Sequence, residues 1–302
     1  MKVTIPQSAL PANLRAQYPQ GIELLLPVKT FGLMGPPGTG KSEFISTMPR
    51  PVKVIASDPI GKMEAYFKRG VVEVGRGPTG APIRRIMDIK DPTKLLIEIE
   101  GFYDEDPTMP SAMQNMMECA ARTQKEAREG KWASVALDSY SGMEDIAKFR
   151  RQVGAFSVSA TQGNNDGRAV YAAAKDDSLQ VVLMRLITLE NYGVFVAVAL
   201  HTSEKMEESE GRMLYNIKAI GDAPSTLGRV ITERYRTEAC ADGVTRQMVT
   251  RPDGRFKLTT TISAPSPCKN DFGAIWSEWI NAEVSKRAAA ITPPTAAVEE
   301  AK

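Results

Sequence analysis

The segment GPPGTGKS, from Gly35 to Ser42, constrains this chain more than any other stretch. It satisfies the spacing G-x-x-x-x-G-K-[ST], and it stands where that spacing has physical meaning: after the apolar run KTFGLM (29–34) and before a short helical stretch that stops near Pro49. Glycines at such a turn let backbone N–H groups wrap phosphate oxygens with no Cβ in the way. Gly35, Pro36, Pro37, Gly38, Thr39 and Gly40 are therefore read as a phosphate cradle, with Lys41 as a point charge on the β and γ phosphates. Ser42 offers a hydroxyl to Mg2+. A functionless glycine turn is the other reading, and the strand–loop–helix context argues against it. The implied ligands are ATP and Mg2+.

Around this motif, apolar strands alternate with helices. VKVIAS (52–57), WASVAL (132–137) and VFVAVAL (194–200) read as buried strands. Helical stretches are expected around 93–104, over 111–128 with Met113, Met116, Met117 and Ala120 on one face, and over 169–191. Strands apolar on both faces and separated by helices predict an α/β fold, with a mostly parallel central sheet flanked by helices. After residue 228, VITERYRTEAC, VTRQMVTR and RFKLTTTI, separated by the turns ADG and PDG, predict antiparallel strands that extend the sheet near the C-terminus. A last helix over 271–286 places Phe272, Ile275, Trp276, Trp279 and Ile280 on one side, with the tryptophans read as core anchors and base stacking as the alternative. The expected organisation is an extended lead-in over 1–27, one core over 28–286 and a flexible Ala/Pro/Glu-rich tail over 287–302.

Composition narrows the class. With 302 residues, 42% hydrophobic and 25% charged, the chain is not collagen-like, mucin-like or wholly disordered. A net charge of +2 means that any surface for nucleic acid must be local. Cys119, Cys240 and Cys268 lack C-x-x-C spacing, and His201 is the sole histidine, so neither a disulfide framework nor a zinc site is expected. Pro6 and Pro11 interrupt what a signal peptide would need, and no apolar run approaches the ~20 residues of a membrane span, so a cytoplasmic protein with no membrane partner is expected.

A P-loop needs a second acid for the metal. Asp138, closing WASVALD, is the candidate, with capping of the next helix as its alternative role. The spelling GPPGTGKS resembles that of the AAA+ ATPases, which follow this Asp with a catalytic Glu; here Ser139 follows instead, which disfavours a remodelling ATPase of that type. Asp58, ending VKVIASD, is the candidate general base at the carboxyl edge of a neighbouring strand, or else the start of a turn with Pro59.

The order GPPGTGKS, VIASD, VALDS, long helix, FVAVALH, polar loop and antiparallel strands resembles the RecA-type recombinase core over roughly 28–265. More closely, it is similar to the short ATP-binding proteins of phages that are associated with single-strand annealing and recombination. That resemblance implies a water-activating carboxylate at Asp58, a metal-binding pair at Asp138-Ser139 and a γ-phosphate sensor at His201, which a strand-capping histidine would also explain. It also implies an arginine reaching a neighbouring subunit's γ-phosphate, at Arg251 or nearby Arg255. Two long polar segments stand where the family keeps DNA-binding loops. The first, 150–168, carries Arg150, Arg151 and Arg168; the second, 201–225, carries Lys205, Arg212, Tyr215 and Lys218, but also Glu204, Glu207, Glu208 and Glu210. The implied partners are single-stranded DNA, further copies of this chain in a ring or filament, and a single-strand-binding protein. A nucleotide-gated adaptor in replication or packaging is the competing expectation, motivated by the glutamates of 204–210 and the tail.

Overall fold

The strand that feeds the P-loop lies deep inside a sheet. The computed structural model describes residues 2–291, apart from 26, 60–62, 105–107, 163–166, 208–211, 253–257 and 263–265. Along the chain come β1 (Lys2–Ile5), α1 (Ala12–Arg15), β2 (Ile22–Leu25), β3 (Thr30–Met34), α2 (Lys41–Ile45), β4 (Val52–Ala56) and α3 (Glu64–Phe67). Next are β5 (Val71–Arg76), β6 (Pro82–Met87), β7 (Leu95–Gly101), α4 (Ala112–Arg128), β8 (Ser134–Asp138) and α5 (Tyr140–Gln162). α6 (Gly167–Lys175) runs through a π-helical stretch, Asp176–Leu183, into α7 (Met184–Ile187) and then β9 (Phe195–Leu200). The remainder is β10 (Thr202–Glu207), β11 (Arg212–Ile217), α8 (Ala223–Val230), β12 (Glu233–Ala239), β13 (Arg246–Val249), β14 (Cys268–Lys269) and α9 (Phe272–Ile291).

Among the described residues, ten strands form one sheet in the order β14-β13-β12-β3-β9-β8-β4-β7-β6-β5. β12, β3, β9, β8, β4 and β7 are mutually parallel, and antiparallel pairings close both ends. This is the expected α/β architecture, a mostly parallel sheet flanked by helices. Its central strands are buried on both faces, so each alternates its side chains between two cores. Phe31, Phe195, Tyr235 and Phe44 fall on one side with α9, whose Phe272 meets Phe195 edge to face at 5.1 Å. Trp276 and Trp279 pack in the same cluster, as the anchor reading expects. Val196, Val198, Leu137 and Ile55 fall on the other side, under Met113, Met116 and Ala120 of α4. Full burial of each of the larger of these side chains contributes about 2 kcal/mol.

Several expectations are corrected. Residues 93–104 hold β7 rather than a helix: Ile97 and Ile99 alternate with Glu98 and Glu100, and the glutamates are buried because Lys53 on β4 meets both. A buried charge reads as solvent-facing in a sequence, and that misplaces the period. The described residues of 1–27 form no extended lead-in. β1 and β2 form an antiparallel hairpin, and Ile5, Leu10, Leu14, Ile22 and Leu24 join the α9-side core. Segment 150–168 is helical through Gln162, because Tyr140, Met143 and Ala147 anchor the first half of α5 and the helix propagates from there. Segment 201–225 holds the β10–β11 hairpin and the start of α8 in place of a loop. Of the late strands, β12 joins β3 in parallel, and antiparallel pairing starts with β13. The last helix continues to Ile291, beyond 286; residues 292–302 of the expected tail lie outside the described residues.

Candidate functional site

Sheet register puts the sequence-predicted acids beside the P-loop. Met34 stands opposite Leu200, and Ala56 opposite Asp138, so Gly35, His201, Asp138 and Asp58 all leave the same carboxyl edge of the sheet. Ligands of open α/β sheets gather at that edge. A cleft of about 650 Å³ opens there, lined among others by Gly38, Lys41, Ser42, Asp58, Asp138 and His201.

The geometry of the loop follows from its glycines. Gly40 has φ +98°, and a Cβ on it would stand 2.5 Å from Asn270 Nδ2 and 3.1 Å from Arg246 Cβ. Gly38 also has positive φ, with nothing within 4 Å of where its Cβ would stand, so the backbone conformation and not crowding favours glycine there. Thr39 Oγ1 bonds the Pro36 carbonyl at 2.9 Å and pairs with Thr237 Oγ1 on β12 at 2.8 Å.

Lys41 is buried and donates to the carbonyls of Gly35 and Pro36, both at 2.7 Å. Burial pulls its pKa down to about 8, against the opposing pull of Asp138 and Asp58. The Ser42 hydroxyl donates to Asp138 Oδ2 at 2.7 Å. A serine oxygen and a carboxylate are the hard oxygen donors that Mg2+ takes, so the residues present fit that ion, and the open cradle beside Lys41 fits a triphosphate. His201 is half-buried; burial and nearby Lys41 hold its imidazole below the ordinary pKa, so it faces the cleft neutral at pH 7.

Four residues that sequence reasoning missed complete the site. Tyr66 on α3, fully buried, donates its hydroxyl to Asp138 Oδ2 at 2.8 Å. Ser57 Oγ accepts from Ser139 N at 2.9 Å and donates to Ser139 O at 2.8 Å, which fastens the residue after Asp138. Arg246 on β13 donates from Nε to Gly38 O at 2.9 Å and lines the cleft. Asn270 donates to Gly40 O at 2.8 Å, and its Oδ1 is buried with no hydrogen-bond partner among the described residues. The sequence reading looked for an arginine late in the chain, at Arg251 or Arg255, and did not single out Arg246. Arg251 lies past the end of β13, exposed, and is not among the cleft's lining residues. Arg255 lies outside the described residues.

The expected DNA-binding cations separate into groups. Arg151 makes two bonds to Asp177, at 2.8 and 2.6 Å, and Arg150 bonds Gln114 at 3.2 Å, so both are tied into the α5 packing. Arg168 and Lys218 instead line a second cleft of about 640 Å³, together with Lys148, Tyr171 and Lys175. Lys205 and Arg212 lie on β10 and β11; the described residues include their backbones and not their side chains. The two clefts adjoin, since Lys218 N donates to His201 O at 2.8 Å and Ser141 Oγ to Lys218 O at 3.0 Å. Glu144 caps the same corner by accepting Ile220 N on both carboxylate oxygens at 3.0 Å.

No protein-family model and no curated protein matches this sequence. Among solved structures, the chain is similar to a KaiC-like protein of the hyperthermophilic archaeon Pyrococcus horikoshii OT3, at 12% identity and a TM-score of 0.36, covering 86% of this chain and 93% of that one. No residue role is transferred from that likeness. Among the described residues, no helix is long and apolar enough to cross a membrane.

Proposed function

We propose that this chain is a Mg2+-dependent ATPase of RecA type that acts on single-stranded DNA in phage-type recombination or annealing. One observation carries the nucleotide half: the 2.7 Å bond between Ser42 and Asp138 sits in the same cleft as Lys41, Asp58 and His201. In this reading Lys41 and the Gly35–Gly40 backbone hold the triphosphate, and Ser42 and Asp138 hold Mg2+. Bound there, the ion would supply charge neutralisation to the phosphates. Asp58 takes a proton from the attacking water, and neutral His201 bonds the γ-phosphate. Arg246 adds a cation from the same subunit, whereas Arg251 would act across a subunit boundary in a homo-oligomer.

The DNA half is supported by the second cleft. Arg168 and Lys218 line it, Lys148 and Lys175, paired with Asp145 and Asp222 at 2.8 Å, would exchange those carboxylates for phosphates, and Tyr171, 46% exposed, offers a ring to a base. Steady-state ATP hydrolysis with and without single-stranded DNA tests the whole, with Lys41→Ala as the blank. The expected result is turnover that DNA stimulates and Lys41→Ala abolishes. Turnover that DNA leaves flat, with no DNA retained in the presence of ATP, overturns the DNA half and makes the chain a nucleotide-gated adaptor.

A further inference from the structure

Asp138 is held from two sides. Its Oδ2 accepts the Ser42 hydroxyl at 2.7 Å and the Tyr66 hydroxyl at 2.8 Å. The Ser42 bond belongs to the P-loop. The Tyr66 bond comes from elsewhere: α3 follows the segment that carries Asp58, and its neighbours Met63, Glu64, Ala65, Lys68 and Arg69 form one wall of the nucleotide cleft. The Tyr66 ring is buried in the same core cluster as Phe44, Val54 and Ala56, so its direction is fixed by packing on the sheet. A buried tyrosine needs a partner for its hydroxyl, and a backbone carbonyl would meet that need as well as any side chain. Here the partner is the carboxylate at the cation site.

We infer that Tyr66 is a positioning residue of that cation site, holding the Asp138 carboxylate in one orientation so that it meets Mg2+ without reorganising. The inference rests on the nucleotide reading of the cleft. A hydroxyl has one proton to give, and Ser42 spends its own on Oδ2, which keeps its lone pairs for the ion. Tyr66 supplies the second donor, so the carboxylate stays oriented even when Ser42 moves with the P-loop. Hydrogen bonds of this kind to a ligating carboxylate typically change metal affinity by about 10- to 100-fold.

The test uses Mn2+ as a spectroscopic stand-in, titrated by electron paramagnetic resonance against the full chain with a non-hydrolysable ATP analogue. Tyr66→Phe is expected to weaken Mn2+ binding by about tenfold. Binding of the nucleotide alone, without metal, stays as in the wild type, and saturating Mg2+ restores kcat. A merely structural role predicts the opposite split, with metal-free nucleotide binding impaired and kcat depressed at every Mg2+ concentration; that outcome, or an unaltered Mn2+ affinity, overturns the inference. A second measurement avoids any folding defect of the variant: 3-fluorotyrosine at position 66 gives a fluorine resonance expected to shift when Mg2+ joins the nucleotide-bound protein, and a resonance that does not move overturns it too. Failure of the wild type to bind Mn2+ with nucleotide present would instead remove the site reading on which this one stands.

Discussion

At the scale of single residues, the ammonium of Lys41 gives the site a pH response. Burial brings its pKa from 10.5 to about 8 in the free protein. A bound triphosphate favours the charged form, so the pKa rises on binding. Binding at a pH above that of the free lysine therefore takes up a proton. Nucleotide affinity is expected to be flat below about pH 7 and to fall above about pH 8, approaching tenfold per pH unit. Calorimetry in buffers of different ionisation enthalpy measures the proton uptake directly. Lys41→Arg should remove the dependence, since a guanidinium does not titrate in this range; a wild-type profile flat to about pH 9.5 would refute the assignment. Lys41, Ser42 and Asp138 were legible in the sequence because motif spacing and strand ends place them. Tyr66 and Ser57 were not, because their roles consist of contacts with Asp138 and Ser139, 72 and 82 residues further along the chain.

At the scale of elements, the β12–β13 hairpin and the segment leading into α9 brace the P-loop. Arg246 uses Nε for Gly38 O and Nη1 for the carbonyls of Gly243, Val244 and Thr245, so its own turn pre-orients the side chain. Asn270 holds Gly40 O, and Thr47 Oγ1 accepts the Phe272 N–H at 2.8 Å, which fastens the start of α9 to the end of the P-loop helix. A charge-assisted hydrogen bond contributes about 1.5–3 kcal/mol, so Arg246→Ala is expected to weaken nucleotide binding by about tenfold in a fluorescent-nucleotide titration. Arg251→Ala should leave binding by dilute protein unaltered; an equal loss there would return the nucleotide-facing role to Arg251. The hairpin itself was legible from the turn ADG between strand-like runs. Which arginine reaches the loop depends on strand register, and no sequence period reveals that. β7 was missed for a related reason: Glu98 and Glu100 look solvated until Lys53 is placed between them.

At the scale of the whole molecule, that same cluster ties the outer strands to the centre. Lys53 Nζ lies 2.8 Å from Glu98 and 2.7 Å from Glu100, with Arg85 reaching Glu98 at 2.9 Å and Arg122 reaching Glu100 at 2.5 Å. It spans β4, β6, β7 and α4, and the lysine is 1% exposed. Removing one partner of a buried ion cluster strands the others, so Lys53→Ala is expected to lower the unfolding free energy by about 3–5 kcal/mol in urea. A loss below about 1 kcal/mol would mean that water reaches the glutamates. The mostly parallel sheet was legible because apolar strands between helices leave few other ways to bury both faces. The long braces across the chain have a consequence in time. Gly40 waits 230 residues for Asn270, and Gly38 waits 208 for Arg246. A ribosome making this stretch releases the P-loop well before its braces, so the pocket stays unbraced while the intervening strands are made, and it closes up only after Arg246 and then Asn270 have emerged.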